Sequence, residues 1–292
     1  MQDDDKAQSP AFHLESGLYV TATPIGNARD ITLRALDVLK GCDAIAAEDT
    51  RVTSKLLSIY GISKPLFAYN DHNGERERPK ILARLGRGER VALVSDAGTP
   101  LVSDPGYKLV RAALAEGYPV HAIPGASAPL AALTLSGLPS DRFLFAGFLS
   151  HKSGERKSTL EELRPLRSTL IFFDSPQRLG DSLSDMAAVL GPRTAIVARE
   201  LTKKFEEIRR GDLATLAAHY AKAAAPKGEV TLVVAPGEET GPSWERAERL
   251  LDAALEFMPV RAAADLIAEA LDLPRRETYA RALAKRKSDV SE

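Results

Sequence analysis

Three short glycine- and proline-rich segments carry residue types that could hold a small ligand: Thr23-Pro24-Ile25-Gly26-Asn27, Ser95-Asp96-Ala97-Gly98-Thr99-Pro100 and Pro124-Gly125-Ala126-Ser127-Ala128. Each follows a strand-like apolar run. A glycine there lets backbone approach a ligand, and Asp96 and Thr99 supply groups that can orient it by hydrogen bonding. A further turn, Ser103-Asp104-Pro105-Gly106, follows the second at once. None reads G-x-G-x-x-G or G-x-x-x-x-G-K-[ST], so neither a dinucleotide nor a phosphate-loop ligand is favoured. Taken singly, each is no more than a tight connection. Three together, at strand ends of one sheet, point to a small-molecule site.

Charged residues cluster at other strand ends. Glu48-Asp49-Thr50-Arg51 sets two carboxylates and a guanidinium after one strand, where helix capping by Asp49 or Thr50 is the plainer reading. Asp71-His72-Asn73 offers a general base in Asp71 or His72, with a surface loop as an equal alternative. Arg199-Glu200-Leu201-Thr202-Lys203-Lys204 and Lys227-Gly228-Glu229 are solvated clusters unless they face the first group across a cleft. Arg275, Arg276, Arg281, Lys285, Arg286 and Lys287 stand against Glu277 alone among acids. That density suits phosphate contact, although cations at a helix C-terminus would look the same.

These segments need elements to position them. Strands are predicted over 18–22, 44–47, 66–69, 91–94, 120–123 and 143–146, separated by amphipathic helices. One helix is expected over 31–40, capped by Asp30 and ended by Gly41. This alternation predicts a parallel, doubly wound sheet in an N-terminal α/β domain, residues 17–149. The polar stretch 151–158 reads as a linker. A second, mixed α/β domain over 150–238 follows, with strands at 169–173, 194–198 and 230–235 and helices at 178–190 and 213–222. After a turn-rich break at 236–242, the remainder (domain 239–292) reads as helices 244–257, 260–271 and 275–287, a helix-turn-helix-like pattern.

Composition narrows the class. With 292 residues, 44% hydrophobic, 27% charged and a net charge of −1, the chain has the profile of an ordinary soluble globular protein. It exerts no global pull on a polyanion, so nucleic acid must be gripped locally. The single cysteine, Cys42, excludes an intrachain disulfide, and five scattered histidines show no ligand spacing, so no metal is expected. Residues 1–16 read as a disordered tail, and no apolar run approaches the ~20 residues of a membrane helix. A cytoplasmic location is the default expectation.

Taken in order, the motifs from Thr23–Asn27 through Glu48–Arg51, Asp71–Asn73, Ser95–Pro100, Asp104–Gly106 and Arg199–Lys203 to Lys227–Glu229 resemble a known family. The chain is similar to the bacterial small-subunit ribosomal RNA ribose 2′-O-methyltransferases of the tetrapyrrole methylase superfamily, from about Gly17 into the tail. The resemblance implies a two-lobed α/β fold, a homodimer, S-adenosylmethionine between the lobes, and methyl transfer to a cytidine ribose in the decoding region of 16S ribosomal RNA, free or in the small subunit. It assigns the cofactor to Pro24, Gly26, Ser95, Asp96, Ala97, Gly98, Thr99, Ser127 and Ala128, closed by Leu201, Glu229 and Val230. Asp49, Asp71 and His72 are candidates to take the ribose proton, with Arg51 or Lys203 on the adjacent phosphate. Phe173, Asp174 and Gln177 depart from the family's usual tyrosine, glutamate and histidine. The alternatives are a tetrapyrrole C-methyltransferase, usually marked by a Gly-x-Gly-Pro-Gly loop absent here, and a non-enzymatic DNA-binding regulator.

Overall fold

The computed structural model describes residues 13–222, 227–237 and 244–288. Most of the expected tail, the end of the 236–242 break and the side chain of Lys287 therefore lie outside the described residues. The chain forms two compact units, meeting in sequence at Pro236 and Gly237. In the first, β1 (Gly17–Thr21), α1 (Leu33–Gly41), β2 (Ala44–Ala47), α2 (Thr50–Ile59), β3 (Leu66–Ala68), α3 (Gly74–Gly86), β4 (Arg90–Val94), α4 (Tyr107–Ala115), β5 (Val120–Ile123) and α5 (Ala128–Ser136) alternate. The five strands run parallel in the order β3-β2-β4-β1-β5. Successive residues of β4 join different cores: Ala92 and Val94 on one face, Val91 and Leu93 on the other. Both faces are thus buried, as a parallel sheet requires. Adjacent β1 and β4 send their following loops toward opposite edges of the sheet, the topology that opens a crevice at carboxyl ends.

The same unit continues through β6 (Phe143–Phe148), α6 (Ser153–Leu163), β7 (Thr169–Asp174), α7 (Leu179–Leu190), β8 (Thr194–Arg199), β9 (Glu207–Asp212), α8 (Leu213–Lys222) and β10 (Val230–Val234). These strands form a mixed sheet, β6-β7-β10-β8-β9. Ile25 and α5 residues Ala132 and Leu133 pack with Ile171, Ile196 and Val233 of this sheet, so an apolar seam joins the two halves.

Three sequence expectations are corrected, and one strand is added to those expected. Strand β6, expected in the first sheet, belongs to the second, where it pairs with β7. The expected linker at 151–158 largely forms α6, held down by Leu160 in the core and by a buried Arg156 whose Nε donates to Asp185 at 2.8 Å. Edge strand β9 carries Glu207, Arg209, Arg210 and Asp212, a polar pattern that protects a sheet edge and conceals a strand. Helix α1 starts at Leu33 under Thr32, whose hydroxyl accepts from Ala35 N–H at 3.1 Å; Asp30 instead ends a 3-10 turn capped by Asn27.

In the second unit, α9 (Trp244–Leu255), α10 (Val260–Ala270) and α11 (Arg275–Ser288) pack through small residues, including Ala247, Ala263, Ala264 and Ala282. Among the described residues, no helix is long and apolar enough to cross a membrane.

Candidate active site

The turns after β1 and β4 are sewn together. Thr23 N–H donates to Gly98 carbonyl at 2.8 Å, and Gly98 N–H returns a bond to Thr23 carbonyl at 3.0 Å. Gly98 holds φ at +78°, where a side chain would be strained. The Thr99 hydroxyl donates to Ala126 carbonyl at 3.1 Å, drawing in the third turn. These turns form one wall of a cleft of about 370 Å³. The opposite wall comes from the ends of β6, β7 and β10.

Of the twelve positions assigned to a cofactor, the cleft brings together Asp96, Ala97, Gly98, Thr99, Ser127, Ala128, Glu229 and Val230. Ser95, Leu201 and Pro24 are buried and Gly26 is exposed, and none of the four lines the cleft. The role of Gly26 is close approach: a Cβ there would lie 2.4 Å from Lys203 Cγ and 3.0 Å from Leu201 carbonyl. Beside it, Asn27 N–H donates to the Thr202 hydroxyl at 3.0 Å, so the first turn is clasped to the loop after β8. The lining also includes Glu48, whose cluster reads in sequence either as helix capping or as a charge-organised substrate site, and Asp104, Phe148, Phe173 and Asp174, which are not among the site residues expected from sequence. Glu48 and Asp104 sit in turns whose charge was visible in sequence; Phe148 gave no periodic signal.

Among the described residues the cleft's ionisable lining is entirely acidic, comprising Glu48, Asp96, Asp104, Asp174 and Glu229. Glu48 accepts from Asp96 N–H at 3.3 Å, and Asp96 accepts from Asp49 N–H at 3.0 Å, which ties the ends of β2 and β4. Burial, followed by the charges of Asp96, Asp71 and Asp49, raises the Glu48 carboxyl; burial and Asp49 raise that of Asp96. Asp104 is pushed up to about 6, chiefly by burial and then by Glu48, Asp96 and Glu229, against a hydrogen bond from Ser95. Asp174 is fixed through one oxygen, which accepts from Arg178 Nη2 at 3.0 Å and Ser175 N–H at 2.8 Å. Its other oxygen is buried without a hydrogen-bond partner, whereas neighbouring Gln177 is exposed.

The proposed catalytic residues are not gathered there. Asp49 caps α2 and grips Arg51 at 2.6 Å, which holds its carboxyl down to about 2. Asp71 and His72 are exposed in the turn after β3, where Asn70 Nδ2 donates to Glu48 carbonyl at 3.3 Å. Lys203 Nζ is engaged by Glu200 at 2.8 Å and Glu229 at 2.9 Å. Burial opposes its charge, but the two carboxylates outweigh that and hold the ammonium above its usual range. Lys203 therefore braces the cleft lip.

In the second unit, Arg281 lies over the Trp244 ring at 4.2 Å and pairs with Glu248, while Lys285 pairs with Asp252 at 2.7 Å. Arg276 and Arg286 are exposed, and Arg275 stands 3.9 Å from Glu269. The basic set thus divides into braces and outward cations.

Residues 17–217 match the family described as Tetrapyrrole (Corrin/Porphyrin) Methylases, and residues 241–286 match the RsmI C-terminal HTH domain. The chain is 51% identical over 279 residues to a ribosomal RNA small subunit methyltransferase I of Mesorhizobium japonicum, covering 95% of each. A protein of that name from Erythrobacter litoralis is 53% identical over 283 residues, covering 97% of this chain and 99% of that one. Among solved structures, uroporphyrin-III-C-methyltransferase from Thermus thermophilus shares the fold with a TM-score of 0.56 at 21% identity, over 75% of this chain and 94% of that one.

Proposed function

Because the chain belongs to the tetrapyrrole methylase family, on its branch of small-subunit ribosomal RNA methyltransferases I, we propose that it is an S-adenosylmethionine-dependent ribosomal RNA methyltransferase. More specifically, we propose that it methylates the 2′ oxygen of a cytidine ribose in the decoding region of 16S ribosomal RNA. The carrying observation is the cleft itself: among the described residues, five carboxylates and no cationic side chain, with a wall of turns that lets backbone close on a ligand. Such a lining repels phosphate and favours a compact cation with an apolar ring. S-adenosylmethionine has both features and would supply an electrophilic methyl group. Ile25, Ala128 and Val230 fit the apolar part, and Asp96, Asp104 and Glu229 the cationic part.

On this reading the protein's main tasks are alignment and water exclusion, since methyl transfer to a ribose oxygen is an in-line displacement. The three joined turns fix one side of the line. Glu200, Lys203 and Glu229 hold the other lip. We assign proton acceptance to Asp71 or His72, at the end of a strand adjoining the one that places Glu48; Asp49 is a poor acceptor because its bond to Arg51 makes the carboxylate a weak base. Arg51, whose side chain is 86% exposed, is available to a backbone phosphate. The outward cations Arg275, Arg276 and Arg286 serve RNA in the second unit. Homodimeric assembly and a cytoplasmic location belong to the same proposal.

The test is to incubate the protein with methyl-labelled S-adenosylmethionine and small ribosomal subunits, naked 16S RNA, duplex DNA or a tetrapyrrole. Label at a cytidine 2′ oxygen of 16S RNA is the expected result. Label on the tetrapyrrole alone, or DNA binding without transfer, overturns the assignment.

A further inference from the structure

At the end of β6 the register of the second sheet slips. Phe145 pairs with Ile171 of β7, yet Phe148, three positions on, pairs with Phe173, only two positions on. Gly147 within the bulge takes φ of +65°. In a regular strand Phe145 and Phe148 would point to opposite faces; the extra residue brings them to the same one. Both rings therefore meet Phe173, Phe145 at a centroid distance of 4.9 Å and Phe148 at 5.4 Å. The row begins in the apolar seam with Phe145 and ends at the cleft, which Phe173 and Phe148 line. Phe148 remains 58% exposed, and among the described residues it is the only exposed large hydrophobic side chain on the cleft.

We propose that Phe148 is a stacking platform for a nucleobase of the RNA strand that enters the cleft. This inference rests on reading the cleft as an RNA ribose methyltransferase site. A ribose cannot enter without its base, and the acidic lining cannot hold the attached phosphates. A flat, uncharged ring is what remains to fix the nucleotide, because every base has a π face that stacks on an aromatic side chain. The bulge supports a built feature, since bulges next to sites re-aim side chains. Phe173 backs Phe148 and limits its motion. Phe148 is thus a substrate-positioning residue, with no part in proton transfer.

The test uses full-length protein and three variants: Phe148→Ala, Phe148→Leu and Phe148→Tyr. Equilibrium affinities for small subunits (or a 16S RNA fragment) and for S-adenosylmethionine are measured separately, with single-turnover rates and oligomeric state. The expected result is RNA binding weakened about 5- to 150-fold in Phe148→Ala, the range that loss of one stacked base implies. Phe148→Leu, which keeps apolar bulk without a flat face, should also weaken RNA binding. Phe148→Tyr should restore it, and cofactor affinity should stay within about twofold throughout. If Phe148→Ala loses both ligands through misfolding, the leucine and tyrosine variants decide. Wild-type RNA binding in Phe148→Leu overturns the proposal. So does weakened cofactor affinity with unchanged RNA binding, which would give the ring to the cofactor's adenine, or a change of oligomeric state that accounts for the loss. Failure of the wild type to methylate any RNA removes the functional reading and this inference together. Normal methylation with an indifferent Phe148 removes only the inference.

Discussion

Asp104 combines burial with three like charges, and its carboxyl reaches about 6 from an ordinary 3.8. A raised acid stabilises the fold fully only below about 3.8, and that contribution is lost as pH rises through about 6. Above 6 the carboxylate is charged in an unfavourable place, and an arriving cation relieves it. Calorimetric affinity for S-adenosylmethionine should therefore tighten as pH rises from about 5 to 7 and then level off. Asp104→Asn should flatten that slope; an unchanged slope assigns the titration elsewhere. In sequence, Asp96 to Thr99 could be singled out because turn chemistry is local. Asp104 stood in a visible turn, but its significance depends on Glu48 and Glu229, which only the fold brings near.

At the level of elements, the clasp between the β1 turn and the loop after β8 depends on a missing side chain. Gly26→Ala should lower stability by about 1–3 kcal/mol, the usual penalty for overpacking, and loosen cofactor binding. Thermal melts and cofactor titration read both effects. Gly154→Ala in α6, where the added carbon meets open space, is the control and should leave the melt unchanged or slightly higher. The parallel sheet was readable from sequence because its strands are short apolar runs between periodic helices. Strand β9 and helix α6 were not: Arg209 and Arg210 mask one, and a buried Arg156 anchors the other. Strand β6 is legible in sequence but its sheet is not, because partner choice is a long-range property that Phe143–Phe148 does not encode locally.

For the whole molecule, the net charge of −1 means that RNA affinity must come from regions rather than from bulk attraction. A chain ending at Pro236 keeps every described residue that lines the cleft. Such a truncation should keep its cofactor affinity within about twofold but lose part of its RNA affinity and much of its salt dependence, as each phosphate contact removed lowers the salt slope by about one. Filter binding across a salt series measures this; undiminished RNA affinity would place the RNA surface on the first unit. The braced Arg281, stacked over Trp244, has one more consequence. That indole is the only tryptophan in the chain. Intrinsic emission excited at the red edge is therefore a built-in reporter of the helical unit alone, and it leaves the melting of the α/β unit to be followed through its tyrosines.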